Sequence, residues 1–350
     1  MAVQIGRRKV LKALAAGAWA SLLSLYQAKA QARLERVSVA GAPSISNAGI
    51  YIAMEKGFFR EVGIEVSIEQ LRSGVDTFSL LATGQLDVGV GASGAGLFNA
   101  LAQGFDVRIV ADKGSQAEGH VYVPLGIAKR AFDEGRIRSL SDLKGKKVAY
   151  SSGLAGMETL MLQRLLKTAG LTLGDVEVVQ MRQPDIPVAL QNGAVDAGFL
   201  AEPGAAIATA NGAAVILLDD GTFIRTIAPN GRFPLAHVFY GRRLIQNRDL
   251  GIRWMAAYLK GLRFYNLALR NTQQFGELVA ILKKYTPVTE DELYKKMRWP
   301  YLSPDGKFPT EDLLHAQMLW RELGVLRQVI PLTRAVDFSY VNEAGKLLAR

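Results

Sequence analysis

The side chains of this chain best suited to contact a small molecule are hydroxyls and amides gathered just beyond runs of apolar residues. Ser44, Ser46 and Asn47 follow the run 37–42, and Ser73 and Gly74 follow the alternating stretch 64–70. Ser93 follows 86–91, while Ser151, Ser152 and Gly153 follow 146–150. If those runs are parallel strands, these residues sit at carboxyl ends, where open α/β sheets bind ligands. Two glycine-rich stretches, Gly91-Ala92-Ser93-Gly94-Ala95-Gly96 and Ser151-Ser152-Gly153-Leu154-Ala155-Gly156, would let backbone N–H groups approach an anion at a helix start. Neither is followed by Gly-Lys-Ser/Thr, and neither has full dinucleotide spacing with a ribose-binding acid beyond it, so no nucleotide cofactor is expected.

Two acids stand near the same places. Glu202 precedes Pro203 at a helix start, where it either complements the helix dipole or offers a carboxylate to an amine or amide on a ligand. Asp185 is either an N-cap or a second such contact. Arg182 and Arg225 could grip an anion in bidentate fashion. Catalytic chemistry finds less support. There is no cysteine, and His120, His237 and His315 are far apart in sequence with no carboxylate at ligand spacing, so no metal site is expected. No Gly-x-Ser-x-Gly occurs, and no histidine accompanies Ser93 or Ser151 at a spacing that suggests a hydrolase.

The elements that must position these loops come in two similar sets. Leu81-Ala82-Thr83-Gly84-Gln85-Leu86-Asp87-Val88-Gly89-Val90 and Leu190-Gln191-Asn192-Gly193-Ala194-Val195-Asp196-Ala197-Gly198-Phe199 share one plan. Each is a helix end, a stop glycine and an apolar-Asp-apolar-Gly-apolar strand, and the echo extends upstream and downstream at an offset near 110. Strand and helix alternate at short spacing in each set, which predicts a mostly parallel sheet flanked by helices. The fold class expected is α/β and two-lobed, with a ligand cleft between the lobes. After residue 240 the pattern turns helical, over 249–270, 274–284, 290–297 and 310–323. These helices have no sheet of their own and are expected to pack on the first lobe. The domain reading is therefore 34–115 plus 225–350 for lobe 1 and 116–224 for lobe 2, with two chain crossings between them.

The 350 residues are 49% hydrophobic and 21% charged, which is globular composition. Of the formal +10, five bases fall in the first thirty residues, which hold no acid. The remaining surplus is scattered without interleaved aromatics, so nucleic-acid binding is not expected. Residues 1–30 read as an export signal: Arg7-Arg8-Lys9, a short apolar stretch, then Ala28-Lys29-Ala30. Both the twin-arginine and the general secretory route fit. Without cysteine the product cannot carry a cysteine-linked lipid anchor, and a soluble periplasmic monomer is expected.

Gly57-Phe58-Phe59-Arg60-Glu61-Val62-Gly63-Ile64-Glu65-Val66 resembles a stretch of the periplasmic substrate-binding proteins of ABC importers. The branch is the one similar to aliphatic sulfonate, taurine, nitrate and thiamine-pyrimidine binders. Gly84–Gly89, Asp142–Ala149 and Glu202-Pro203 match further stretches in order, over about residues 35 to 220. The resemblance implies a type II periplasmic-binding fold that closes on a small ligand and docks on a membrane permease. By position it places Ser44, Asn47, Ser73, Ser93, Ser151, Gly153 and Glu202 against that ligand. Gly74 and Asp185 complete the candidate set. The glycine loops suit an anion such as a sulfonate, Glu202 would suit an aminopyrimidine, and an exported enzyme on the same scaffold is the other reading.

Overall fold

The computed structural model describes residues 34–70 and 74–349; the expected export signal and Ser73 lie outside them. Two five-stranded sheets form the framework. The first holds β1 (Glu35–Gly41), β2 (Ile64–Gln70), β3 (Val88–Ala92), β4 (Arg108–Ala117) and β10 (Arg232–Tyr240), in the order β2-β1-β3-β10-β4. The second holds β5 (Leu125–Ala128), β6 (Lys147–Tyr150), β7 (Glu177–Gln180), β8 (Ala197–Phe199) and β9 (Ala214–Ile216), in the order β7-β6-β8-β5-β9. The two orders are the same pattern.

Each sheet is mixed, with one antiparallel strand. β10 runs antiparallel to β3 and β4, and β5 runs antiparallel to β8 and β9. Both are strands that the chain enters after passing from one sheet to the other. Arriving from the far side, the chain meets the carboxyl ends first and must run back down the sheet.

The sequence echo has a physical cause in both sheets. Asp87 Oδ2 accepts from the backbone N–H of Ser38 at 2.9 Å, and Asp196 Oδ2 accepts from that of Lys147 at 2.9 Å. Each aspartate spans 49 residues to fasten the start of the neighbouring parallel strand, β1 or β6. The glycine two residues later serves close packing. A Cβ on Gly89 would lie 2.3 Å from the Thr77 methyl, and one on Gly198 would lie 2.7 Å from an Ile186 methyl. Helices Gly74–Thr83 and Ile186–Asn192 thereby lie close against their strands.

The helical C-terminal region is less one-sided than its sequence predicts. Helix Arg248–Ala268 packs on the first lobe, across helix Ala48–Glu55. Helix Glu311–Glu322, in contrast, touches both lobes: Trp320 packs on Phe98 with ring centroids 5.8 Å apart, while Arg164 pairs with Asp312 at 2.6 Å. Helix Asp291–Lys296 likewise meets helix Gly204–Ala210 of the second lobe. Among the described residues, no helix is long and apolar enough to cross a membrane.

Candidate functional site

The loops beyond β3 and β6 meet across the gap between the lobes. Gly94 and Gly156 form an isolated antiparallel bridge, and a Cβ on Gly94 would come within 2.9 Å of the Ala155 carbonyl oxygen. Any larger residue at Gly94 would force the loops apart. Helix Ala95–Ala102 starts at Gly94 and helix Met157–Thr168 at Gly156, neither with a side-chain cap. Two helix N-termini with free N–H groups therefore open at the same junction. Glu158 lies in the first turn of the second helix, whereas the first has no acid in its first turn. Trp320 Nε1 donates to the Gly156 carbonyl at 3.2 Å and pins the junction from the C-terminal side.

Ser93, Ser151 and Gly153 are brought to this junction. Ser93 is only 1% exposed, and its Oγ lies 2.8 Å from His237 Nδ1. That corrects the sequence expectation that no histidine accompanies Ser93: β10 lies next to β3, which no sequence spacing reveals. The pair is not a hydrolytic dyad in this geometry. His237 Nε2 has no hydrogen-bond partner, so no carboxylate orients the ring, and burial drives the imidazole down to a pKa of about 3. In lobe two, Ser152 Oγ donates to Glu158 Oε2 at 2.6 Å and Ser151 Oγ to Oε1 at 3.4 Å. Burial raises the Glu158 carboxyl, against these donors. Gln183 ties the loop down, donating to Ser151 Oγ at 3.4 Å and accepting from the Ala201 N–H at 3.0 Å.

Ser44 and Asn47 belong to a loop set slightly apart. Ser44 Oγ accepts from the Ser46 N–H at 3.2 Å, and Asn47 Nδ2 donates to the Ala42 carbonyl and to the Tyr51 hydroxyl, each at 3.0 Å. Asn47 Oδ1 is buried without a partner. This loop connects to the junction through Tyr122, on the crossing between β4 and β5. Tyr122 donates to the Gly114 carbonyl at 3.2 Å, Gly114 lies against Ser46, and the charges of both Asp112 and Glu158 act on the phenol. Gly74 opens helix Gly74–Thr83 beyond β2.

Asp185 and Glu202 have other occupations. Asp185 makes no cap; it receives Arg182 in bidentate fashion, at 2.8 and 3.0 Å, on the surface. Arg225 is also at the surface, donating to Thr222 Oγ1. Glu202 is 3% exposed, and both of its oxygens receive backbone N–H groups: Ala206 at 3.0 Å and Arg298 at 3.1 Å. Burial raises its carboxyl, while these two amides oppose the shift. It fastens helix Gly204–Ala210 and the segment after helix Asp291–Lys296 to one another, with a cis peptide between Glu202 and Pro203.

The most strained electrostatics fall on residues that the sequence reading passed over. Asp112, in the middle of β4, accepts from Ser115 Oγ at 2.7 Å and from the Ser303 N–H at 2.9 Å; burial nevertheless raises its carboxyl to about 6. Lys113 is 5% exposed, and among the described residues its ammonium has no hydrogen-bond or ion-pair partner. Burial lowers it to about 7. A charged pair directly after an apolar run, Ile109-Val110-Ala111-Asp112-Lys113, was the available signal. Two surface hollows, one by Arg138 and Leu217 and one by Gly84 and Arg242, lie away from all these groups.

Residues 44–215 match the NMT1/THI5-like family. A putative thiamine biosynthesis protein of Haemophilus influenzae is 32% identical over 151 residues, or 43% of this chain and 44% of that protein. The chain thus matches under half the length of this relative. The alkanesulfonate-binding protein SsuA from Xanthomonas axonopodis pv. citri, bound to MOPS, superposes with TM-score 0.67 at 16% identity, over 87% of this chain and 99% of that one. The periplasmic nitrate-binding protein NrtA from Synechocystis PCC 6803 gives 0.69 at 14%, over 90% and 89%. The desulfurization enzyme DSZB shares the fold as well, with TM-score 0.61 at 15% identity, over 90% and 99%. The two-lobed α/β fold is common to these three solved structures and this chain, and the similarity to the NMT1/THI5-like family runs over residues 44–215.

Proposed function

We propose that the protein is the solute-binding receptor of an ABC import system, capturing a small polar ligand between its lobes in the periplasm and delivering it to a membrane permease. The observation that carries this reading is the Gly94–Gly156 junction. Polar loops from two matched sheets converge there, and two strand-to-strand passages join the lobes. A ligand that touches both loops is held only when they are together, so its binding energy draws the population toward closure. No bond need be made or broken. The sulfonate- and nitrate-binding neighbours support the same reading, although their identity to this chain is low. The enzyme reading has weaker support in the residues, because the Ser93–His237 pair is buried and lacks an orienting acid.

The test is a thermal-shift screen of the mature chain over sulfonates, nitrate, aromatic acids and aminopyrimidines, with recovery of the compound. A receptor is stabilised by RT ln(1 + [L]/Kd) and returns the compound unchanged. Gly94→Val, which wedges the junction, should abolish the shift and enlarge the radius of gyration measured with ligand present. Turnover of a hit compound would refute the receptor reading in favour of an enzyme.

A further inference from the structure

Helix Glu311–Glu322 is rooted in the first lobe at both ends. Before it, the Gly306 carbonyl accepts from the Asp112 N–H of β4 at 2.8 Å, and the Lys307 carbonyl accepts from Arg232 of β10 at 2.7 Å. Phe308 packs edge-on against His237, with ring centroids 4.3 Å apart. After the helix, Asn99 of helix Ala95–Ala102 holds the chain through both ends of its amide. Its Nδ2 donates to the Val325 carbonyl at 3.1 Å, and its Oδ1 accepts from the Arg327 N–H at 3.2 Å. Further on, the Asp337 N–H reaches the Ile109 carbonyl of β4 at 2.9 Å. The helix is a strap with fixed ends.

Between those ends its polar bonds go to the other lobe. Asp312 pairs with Arg164 at 2.6 Å, and Trp320 donates to the Gly156 carbonyl at 3.2 Å. Asp312 and Trp320 stand as far apart in sequence as Arg164 and Gly156 do on helix Met157–Thr168 and its N-cap, in the opposite order. The two helices thus lie side by side and antiparallel, gripped at points about two turns apart. Arg164 spends further donors on His315 Nδ1, at 3.1 Å, and on the Ile227 carbonyl, and its guanidinium lies 5.7 Å from the ring centre of Phe233 on β10. The Arg164 and Asp312 side chains are mostly covered, whereas that of His315 is 55% exposed, so water borders the cluster. When the two helices part, both charges of the ion pair regain water, so the pair can be released as well as made.

We infer that helix Glu311–Glu322 is a clasp that holds the lobes together before any ligand arrives, with Arg164 and Asp312 as its fastening. A ligand then completes a closure that the empty protein already favours. The clasp acts without a ligand and serves any occupant of the cleft alike, which carries it beyond the receptor reading.

Small-angle scattering and hydrogen exchange of the mature chain, with no ligand added, test the clasp in Arg164→Met, Asp312→Asn and the double variant. Each single variant should enlarge the radius of gyration and speed exchange around the Gly94–Gly156 bridge by about tenfold, the scale of one charge-assisted hydrogen bond. The double variant should open no further than Arg164→Met alone, because the bond is already gone. Exchange in β1 and β6 should stay at the parental rate, which separates release of the lobes from loss of the fold. Parental dimensions and exchange in both single variants overturn the inference, as does an equal acceleration in β1 and β6. A double variant whose effect is the sum of the two singles overturns it too, since the side chains then act apart. No ligand enters the measurement, so its outcome is independent of the thermal-shift screen.

Discussion

Replacing Lys113 by methionine should stabilise the ligand-free protein, and the gain should depend on pH in a defined direction. An ordinary lysine titrates at 10.5, and burial brings Lys113 to about 7. At ~1.4 kcal/mol per pKa unit, that displacement sets a ceiling on the order of 5 kcal/mol for the cost of keeping the ammonium inside. Part of the gain is forfeited. Asp112, on the same strand, and His237, on β10, are the titratable groups whose charge couples to it, and Asp112 is itself raised to about 6. Removing the neighbouring cation raises Asp112 further, so a net gain of about 2 kcal/mol is expected, or roughly 4 °C in melting temperature. Below pH 7 the lysine is charged both folded and unfolded, and the cost is fully present. Between pH 7 and 10.5 the folded lysine is neutral while the unfolded one is still charged, so the cost fades. The difference between variant and parent should thus be largest at pH 6 and vanish near pH 10.5. Scanning fluorimetry from pH 5.5 to 10.5 measures it. A variant less stable than the parent at pH 6, or a difference that does not change with pH, would refute the reasoning.

Glu202→Ala should lower the melting temperature, since two buried amides, Ala206 and Arg298, lose their acceptor. The expected loss is ~2–4 kcal/mol by urea unfolding, and a variant as stable as the parent would mean that water replaces the carboxylate freely. The paired aspartates offer an internal comparison. Asp87 receives Ser38 N–H, Ser38 Oγ and Arg243, whereas Asp196 holds the Lys147 N–H and lies at the edge of ion-pair range from Arg136. Asp87→Ala should therefore cost about twice as much as Asp196→Ala, on a scale of ~1 kcal/mol per lost bond; equal costs would contradict the bookkeeping.

Much of the framework was legible because it repeats. The apolar-Asp-apolar-Gly pattern marks β3 and β8 in the same way, and the structure explains both repeated features: a strand clamp and a close helix approach. β10 was hidden for a local reason. Pro234 removes a backbone donor from a strand that lies between β3 and β4, and proline in a run argues against a central strand. The sheet accommodates it where the register with β4 shifts between Pro234 and Ala236. Missing β10 meant missing His237, and hence the partner of Ser93. The loop serines were legible as a class, but burial was not: Glu202 and Asn47 point into protein, where sequence position alone suggested a cleft. Lys113 was overlooked because a charged pair after an apolar run reads as the exposed end of a strand until that strand is placed.

Helix Glu311–Glu322 gives the molecule an optical gauge. Trp320 leans on Phe98 of one half while its indole N–H holds Gly156 of the other, so hinge rotation must alter one of these two environments. The chain has only four tryptophans, and one of them, Trp19, falls within the expected export signal. Emission from the mature protein is then dominated by three indoles, of which Trp254 sits inside the helical layer over the first sheet and Trp299 is packed among Tyr265, Phe275 and Tyr294. Swapping those two for phenylalanine would leave a single native fluorophore astride the hinge, whose wavelength follows the jaw without any attached dye.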